Sequence, residues 1–171
     1  FILALTLAVS ITVPASAEVL GLGKNSASAT ILDAGGVPIG KAKLTRSKKH
    51  GLRLSVAVRG LTRGERGVHL HAIGRCEGPN FASAGPHLNP ANKQHGLENA
   101  TGSHQGDLPN MLVNRKGRGT LSYDIADGRL KGGVMDEDGL AIVIHAKSDD
   151  QRTDPSGNSG DRVACGVFLN D

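Results

Sequence analysis

Between residues 52 and 59 the chain alternates: Leu52, Leu54, Val56 and Val58 are separated by Arg53, Ser55, Ala57 and Arg59. A period of two sends successive side chains to opposite faces of a strand, so this run offers one face to a core and one to water. Seven further runs read as strands, at 26–32, 39–46, 67–73, 119–125, 129–134, 140–146 and 163–168. Gly35-Gly36 and Asp127-Gly128 are hairpin turn signals between such runs. Short strands at regular spacing imply an all-β domain, a sandwich or a barrel. Its core must come from Val, Ile, Leu and Ala, because the aromatic residues are only Phe1, Phe81, Tyr123 and Phe168. Two stretches break the rhythm, 74–109 and 147–162. Loops of this length in a compact domain are usually functional.

Residues 1–17 are of another kind. They are uncharged, run apolar from Ile2 to Val9, and end in Pro14 and Ala15-Ser16-Ala17. A short apolar run before an Ala-x-Ala site is the pattern of a cleaved secretory signal, here with its start truncated. It falls short of the roughly 20 apolar residues of a membrane span. The expected organisation is a signal peptide at 1–17 and one domain at 18–171. The net charge of +4 then lies wholly in the exported part. Export would take the only cysteines, Cys76 and Cys165, into an oxidising compartment, where pairing is expected; two separate thiols are the alternative. A bridge between them would close a loop of about 90 residues, worth roughly 4 to 5 kcal/mol in the chain-entropy account.

Six of the seven histidines fall between positions 69 and 145. Imidazole is the commonest protein metal ligand, and one tetrahedral ion cannot use so many. His69 and His71 sit two apart in a strand pattern, so both leave the same face. His145 ends the apolar run Ala141-Ile142-Val143-Ile144, where a histidine needs a reason to be. In the long loop, His87, His95, His104 and Asp107 supply three nitrogens and one oxygen, the ligand count and type of a closed zinc site. The series therefore asks for two metals.

Taken in order, Gly67-Val68-His69-Leu70-His71, Ser83-Ala84-Gly85-Pro86-His87-Leu88-Asn89-Pro90, His95-Gly96, Gly102-Ser103-His104-Gln105-Gly106-Asp107-Leu108-Pro109-Asn110, Ile144-His145-Ala146-Lys147-Ser148-Asp149-Asp150 and Gly160-Asp161-Arg162-Val163-Ala164-Cys165-Gly166 resemble the motifs of the copper/zinc superoxide dismutases, in their bacterial periplasmic type. The resemblance runs from about Glu18 to the C-terminus. It implies an eight-stranded Greek-key β-barrel with a long zinc-binding and disulfide loop and a shorter second active-site loop. It assigns copper to His69, His71, His87 and His145, and zinc to His87, His95, His104 and Asp107, one ion of each per subunit, with His87 shared. Asp149 would orient His69 and His95 through their remaining N–H groups. Arg162, brought beside the copper by a Cys76–Cys165 bridge, would attract the anion.

The implied reaction converts superoxide to dioxygen and hydrogen peroxide as copper is alternately reduced and oxidised, with His87 carrying a proton. The alternative is a noncatalytic periplasmic copper/zinc-binding or copper-delivery protein on the same fold. The loop after Asp149 is shorter than the charged guidance loop of the eukaryotic enzymes, which leaves Lys93 and Arg152 as the candidates for steering substrate. The partner expected is superoxide, with no nucleic acid and no stable membrane anchor, the chain being a monomer or homodimer in the periplasm, or secreted. The sequon Asn99-Ala100-Thr101 and the basic run Arg46-Ser47-Lys48-Lys49-His50 read as ordinary surface.

Overall fold

A computed structural model describes residues 26–47, 51–125, 130 and 134–171. The leader at 1–17, the Asp127-Gly128 turn and His50 lie outside the described residues. Of the strand expected at 129–134 only Leu130 and Val134 are described, both in turns and both buried.

The described residues form ten antiparallel strands: β1 Ser26–Asp33, β2 Pro38–Ser47, β3 Gly51–Val58, β4 Gly64–Arg66, β5 Val68–His71, β6 Met111–Val113, β7 Gly119–Ile125, β8 Ala141–His145, β9 Arg162–Val167 and β10 Leu169–Asn170. Nine of them follow one another in the order β4-β6-β7-β3-β2-β1-β9-β8-β5, and β10 pairs with β1. The count exceeds the expected eight for local reasons. The run read as one strand from residue 67 belongs to a segment bent at Gly67 into β4 and β5, while β6 and β10 are too short to show a period.

Gly67 also explains how the sheet closes. β4 and β5 stand at opposite ends of the strand order yet are consecutive in the chain, so one bent segment pairs with β6 on one side and β8 on the other. A Cβ at Gly67 would lie 2.9 Å from Cβ of Ser159, closer than side chains pack, and would touch Cβ of Asp149 at 3.4 Å. Its N–H donates to Lys147 O at 2.8 Å and its carbonyl accepts from His145 N–H at 2.9 Å, joining the seam to the second loop.

The alternation of β3 is realised as read. Leu52, Leu54, Val56 and Val58 are buried, and they join Ala27, Ile31, Leu44, Val68, Leu70, Ile142 and Ile144 in one core. β5 and β8 differ from the rest in being buried along their whole length. Their inner residues fill the barrel, and their outer residues are covered by the two long loops. Under the first loop, Phe81, Ala84, Ala141, Val143 and Cys165 form a separate small core. Cys165 is bridged to Cys76 with a Cα separation of 5.7 Å, inside the ordinary disulfide range. Among the described residues no helix is long and apolar enough to cross a membrane.

Candidate metal centre

His69 and His71 stand on the outer face of β5, and His145 ends β8. Each has one ring nitrogen tied to the protein. His69 Nε2 is 2.6 Å from Asp149 Oδ2. His71 Nδ1 donates to the Gly85 carbonyl at 2.9 Å, and His145 Nδ1 to the Gly160 carbonyl at 3.0 Å. Each also has one nitrogen left over: His69 Nδ1, His71 Nε2 and His145 Nε2 are buried with no hydrogen-bond partner. Leaving three buried polar atoms unpaired is costly unless something accepts their lone pairs. With a His87 nitrogen they make a set of four whose ligand atoms lie within 4.8 Å of one another, which fits a copper ion.

The loop residues converge on a second point. Asp107 Oδ1 is 3.0 Å from His87 Nδ1, 3.0 Å from His95 Nδ1 and 3.2 Å from His104 Nδ1. The other carboxylate oxygen accepts the N–H of Gly96 at 2.8 Å and of His104 at 2.9 Å, so the group cannot swing away. Ligand atoms of His69, His87, His95 and Asp107 also lie within 4.8 Å of one another, so His69 competes with His104 for the fourth place. Chemistry favours His104: the free nitrogen of His69 already belongs to the first set, whereas His104 Nδ1 faces both Asp107 and His87, the latter at 3.4 Å. Three imidazoles and a carboxylate fit zinc.

Asp149 stands between the two sets, with His95 Nε2 3.0 Å from its carboxylate oxygens. It is positioned by residues that carry no signal of their own in the sequence. Asn110 clamps the Asp149 backbone, its Oδ1 accepting the N–H and its Nδ2 donating to the carbonyl, both at 2.8 Å. Gly157, at φ 61°, leaves room that any side chain would fill, since an added Cβ would overlap the Asp149 carboxylate. The carboxylate of Asp154 accepts the His95 N–H at 2.5 Å. Asn99 of the sequon donates from Nδ2 to the carbonyls of His95 at 3.0 Å and Arg152 at 3.2 Å, a strut between the loops.

Burial sets the charge of the site. It pushes His69 down to about 3, against the opposing pull of Asp149, and His145 down to about 4. His71 and His87 are lowered for the same reason, so all four nitrogen donors of the first set are neutral at ordinary pH, as a metal requires. His95 behaves oppositely. Burial would lower it too, but its contacts with Asp107 and Asp149 prevail and raise it to about 9. Burial would raise both carboxyls, yet hydrogen bonds from the histidines hold them well below the usual range.

Above the histidines opens a cleft of about 1250 Å³ whose lining includes His87, His145, Asp161 and Arg162. Arg162 donates to the carbonyls of Phe81 and Gly85, each at 2.7 Å. The guanidinium is therefore held by the backbone of the disulfide loop, and Gly85 O serves both Arg162 and His71. Lys93 and Arg152 do not line the cleft, and Arg152 pairs with Glu98 at 2.7 Å.

A family model for copper/zinc superoxide dismutase (SODC) matches residues 38–168. The chain is 40% identical over 139 residues to the superoxide dismutase-like protein YojM of Bacillus subtilis, covering 78% of this chain and 71% of that one. It is 39% identical over 147 residues to superoxide dismutase [Cu-Zn] 2 of Aquifex aeolicus, covering 83% and 85%. A solved structure of the SOD-like protein from Bacillus subtilis superposes with a TM-score of 0.80 at 37% identity, covering 83% of this chain and 97% of that one. The Cu/Zn superoxide dismutase from Brucella abortus gives 0.70 at 25% identity, covering 84% and 99%. With strand order, the two donor sets and these similarities in agreement, the chain belongs to the copper/zinc superoxide dismutase family.

Proposed function

We propose that the chain dismutates superoxide, with one copper held by His69, His71, His87 and His145 and one zinc held by His87, His95, His104 and Asp107 in each subunit. The observation that carries this reading is the set of three buried, partnerless nitrogens on β5 and β8 beside a second set gathered on Asp107, with His87 common to both. Bound there, copper would supply a one-electron couple able to take an electron from one superoxide and return it to another, while zinc would supply fixed charge and geometry.

The protein's part is to bind, orient and move protons. Arg162 has two N–H groups fixed on carbonyls, and its remaining donors and permanent charge serve an anion entering the cleft. His87 is held through Nδ1 on the Asp107 side, so Nε2 is the atom at which a proton would be carried. Asp149 holds His69 and His95 in register by their outer nitrogens, as carboxylates commonly do for metal-bound histidine. A noncatalytic copper carrier would have no use for the arginine poised over the cleft.

Superoxide removal measured together with metal content tests the proposal. Turnover that requires copper and falls strongly in Arg162→Ala is the expected result; stoichiometric copper binding without turnover would transfer the site to the carrier reading. We further propose that residues 1–17 are an export signal and 18–171 the mature periplasmic domain, working as a monomer or homodimer. N-terminal sequencing of protein recovered from the periplasm checks the cleavage point.

A further inference from the structure

The β3–β4 loop and the β6–β7 turn meet at one end of the barrel, where the Leu61 N–H donates to the Gly117 carbonyl at 3.3 Å. Residues 59–66 and 114–118 together carry Arg59, Arg63, Arg66, Arg115, Lys116 and Arg118 against a single acid, Glu65. These are six of the chain's 20 basic residues and one of its 16 acidic ones, so these two segments hold five net positive charges while the rest of the chain sums to one negative. None of the six lines the cleft over the metal sets. The basicity concentrated here does not face the proposed substrate.

Five of these side chains, all but Arg66, are exposed, and none forms an ion pair among the described residues. Arg66 instead braces the loop, donating to the carbonyls of Thr62 at 2.7 Å and Arg63 at 3.3 Å. The turn that presents Arg115, Lys116 and Arg118 is built firmly: Asn114 Oδ1 accepts the N–H of Lys116 at 2.8 Å and of Arg118 at 3.1 Å. On the adjoining β1–β2 turn, Asp33 Oδ1 is taken by the N–H groups of Gly35 and Val37. Like charges gathered against one acid repel one another, and among the described residues none of the five exposed cations is neutralised by an ion pair.

We propose that this end of the barrel docks the protein on an anionic phospholipid surface. Guanidinium groups match phosphate oxygens in pairs, and four of the five exposed cations are arginines. Leu112, 67% exposed on β6 two residues before the turn, adds an apolar contact beside the charges. Duplex or single-stranded nucleic acid fits less well, because these segments offer no helix for a groove and no aromatic ring for stacking. Binding of this kind is peripheral, needs no membrane span and weakens with salt.

The test is co-sedimentation of the full, metal-loaded protein with phosphatidylcholine vesicles, with and without phosphatidylglycerol, at low and high salt. Binding is expected only to the anionic vesicles and only at low salt. Reversing the turn charges with Arg115→Glu, Lys116→Glu and Arg118→Glu should weaken partition at least about fivefold per residue changed, with superoxide removal in solution unaltered. Should that variant fold poorly, Arg59→Gln with Arg63→Gln on the other segment provides the same readout. Equal binding to neutral vesicles, unchanged partition of a folded charge variant, or stronger retention on duplex DNA or heparin than on anionic vesicles would each overturn the assignment.

Discussion

Asp149 answers to both donor sets at once, its oxygens lying 2.6 Å from His69 Nε2 and 3.0 Å from His95 Nε2. Asp149→Asn keeps the shape but removes the charge that orients both rings. Loss of such a carboxylate typically weakens metal binding about 10- to 100-fold, and competition with a chelator should show this for zinc. The same residues fix how the metal-free protein responds to pH. His69 and His145 titrate near 3 and 4 when folded, below their unfolded value near 6.5, so their contribution is present above 6.5 and is lost as pH falls through 4 and 3. Depressed Asp107 and Asp149 act in the same sense at still lower pH. His95, raised to about 9, contributes fully below 6.5 and loses its effect as pH rises through 9. Urea midpoints of the metal-free protein should therefore peak near neutral pH and fall on both sides, by at most about 1.4 kcal/mol per pH unit for each proton involved. His95→Gln should flatten the alkaline limb and leave the acid limb in place.

At the scale of the element, the disulfide loop holds the arginine by its backbone. Phe81 has φ 54°, an uncommon conformation for a bulky residue, and its ring is fully buried in the small core beside the bridge. Its carbonyl is thereby aimed at Arg162. Phe81→Ala should cost about 3 to 5 kcal/mol of stability and lower the rate toward that of Arg162→Ala although the guanidinium remains. Phe81→Leu should restore most of both, as paired denaturation and activity measurements would show. The β4–β5 segment makes a different demand. Gly67→Ala forces a Cβ against Ser159, and overpacking of this kind costs about 1 to 3 kcal/mol. Because Gly67 also bonds to Lys147 and His145, metal retention should fall with it.

On the scale of the whole molecule, the barrel and the metal centre are separate structures sharing two strands. No proposed ligand belongs to the barrel core: His69, His71 and His145 lie on its outer face, and the remaining ligands belong to the loop that covers them. Removing metal should leave the far-ultraviolet β signal in place while lowering Tm by an amount that grows with metal concentration in the loaded sample, as linkage requires. Much of the fold was legible in the sequence, because a two-residue period leaves a mark wherever a strand is long and one face is buried. Strands β4, β6 and β10 left none, being two or three residues long. The candidate ligands were legible for a chemical reason: few side chains offer a nitrogen lone pair, so six clustered histidines stand out. What holds them, Asp149 apart, was not. Phe81 and Gly85 act through carbonyls, Gly67 and Gly157 through the absence of a side chain, and Asn110 through a clamp on a backbone 39 residues away. Every residue type has a carbonyl, so nothing in composition or spacing marks the one that Arg162 will find. The sequence by itself determined the longer strands, the candidate donors and the two cysteines. Only the closed barrel decided which donors face one another, which nitrogens are left buried and bare, and that the two basic segments meet outside the cleft lining, because these depend on contacts between segments far apart in the chain.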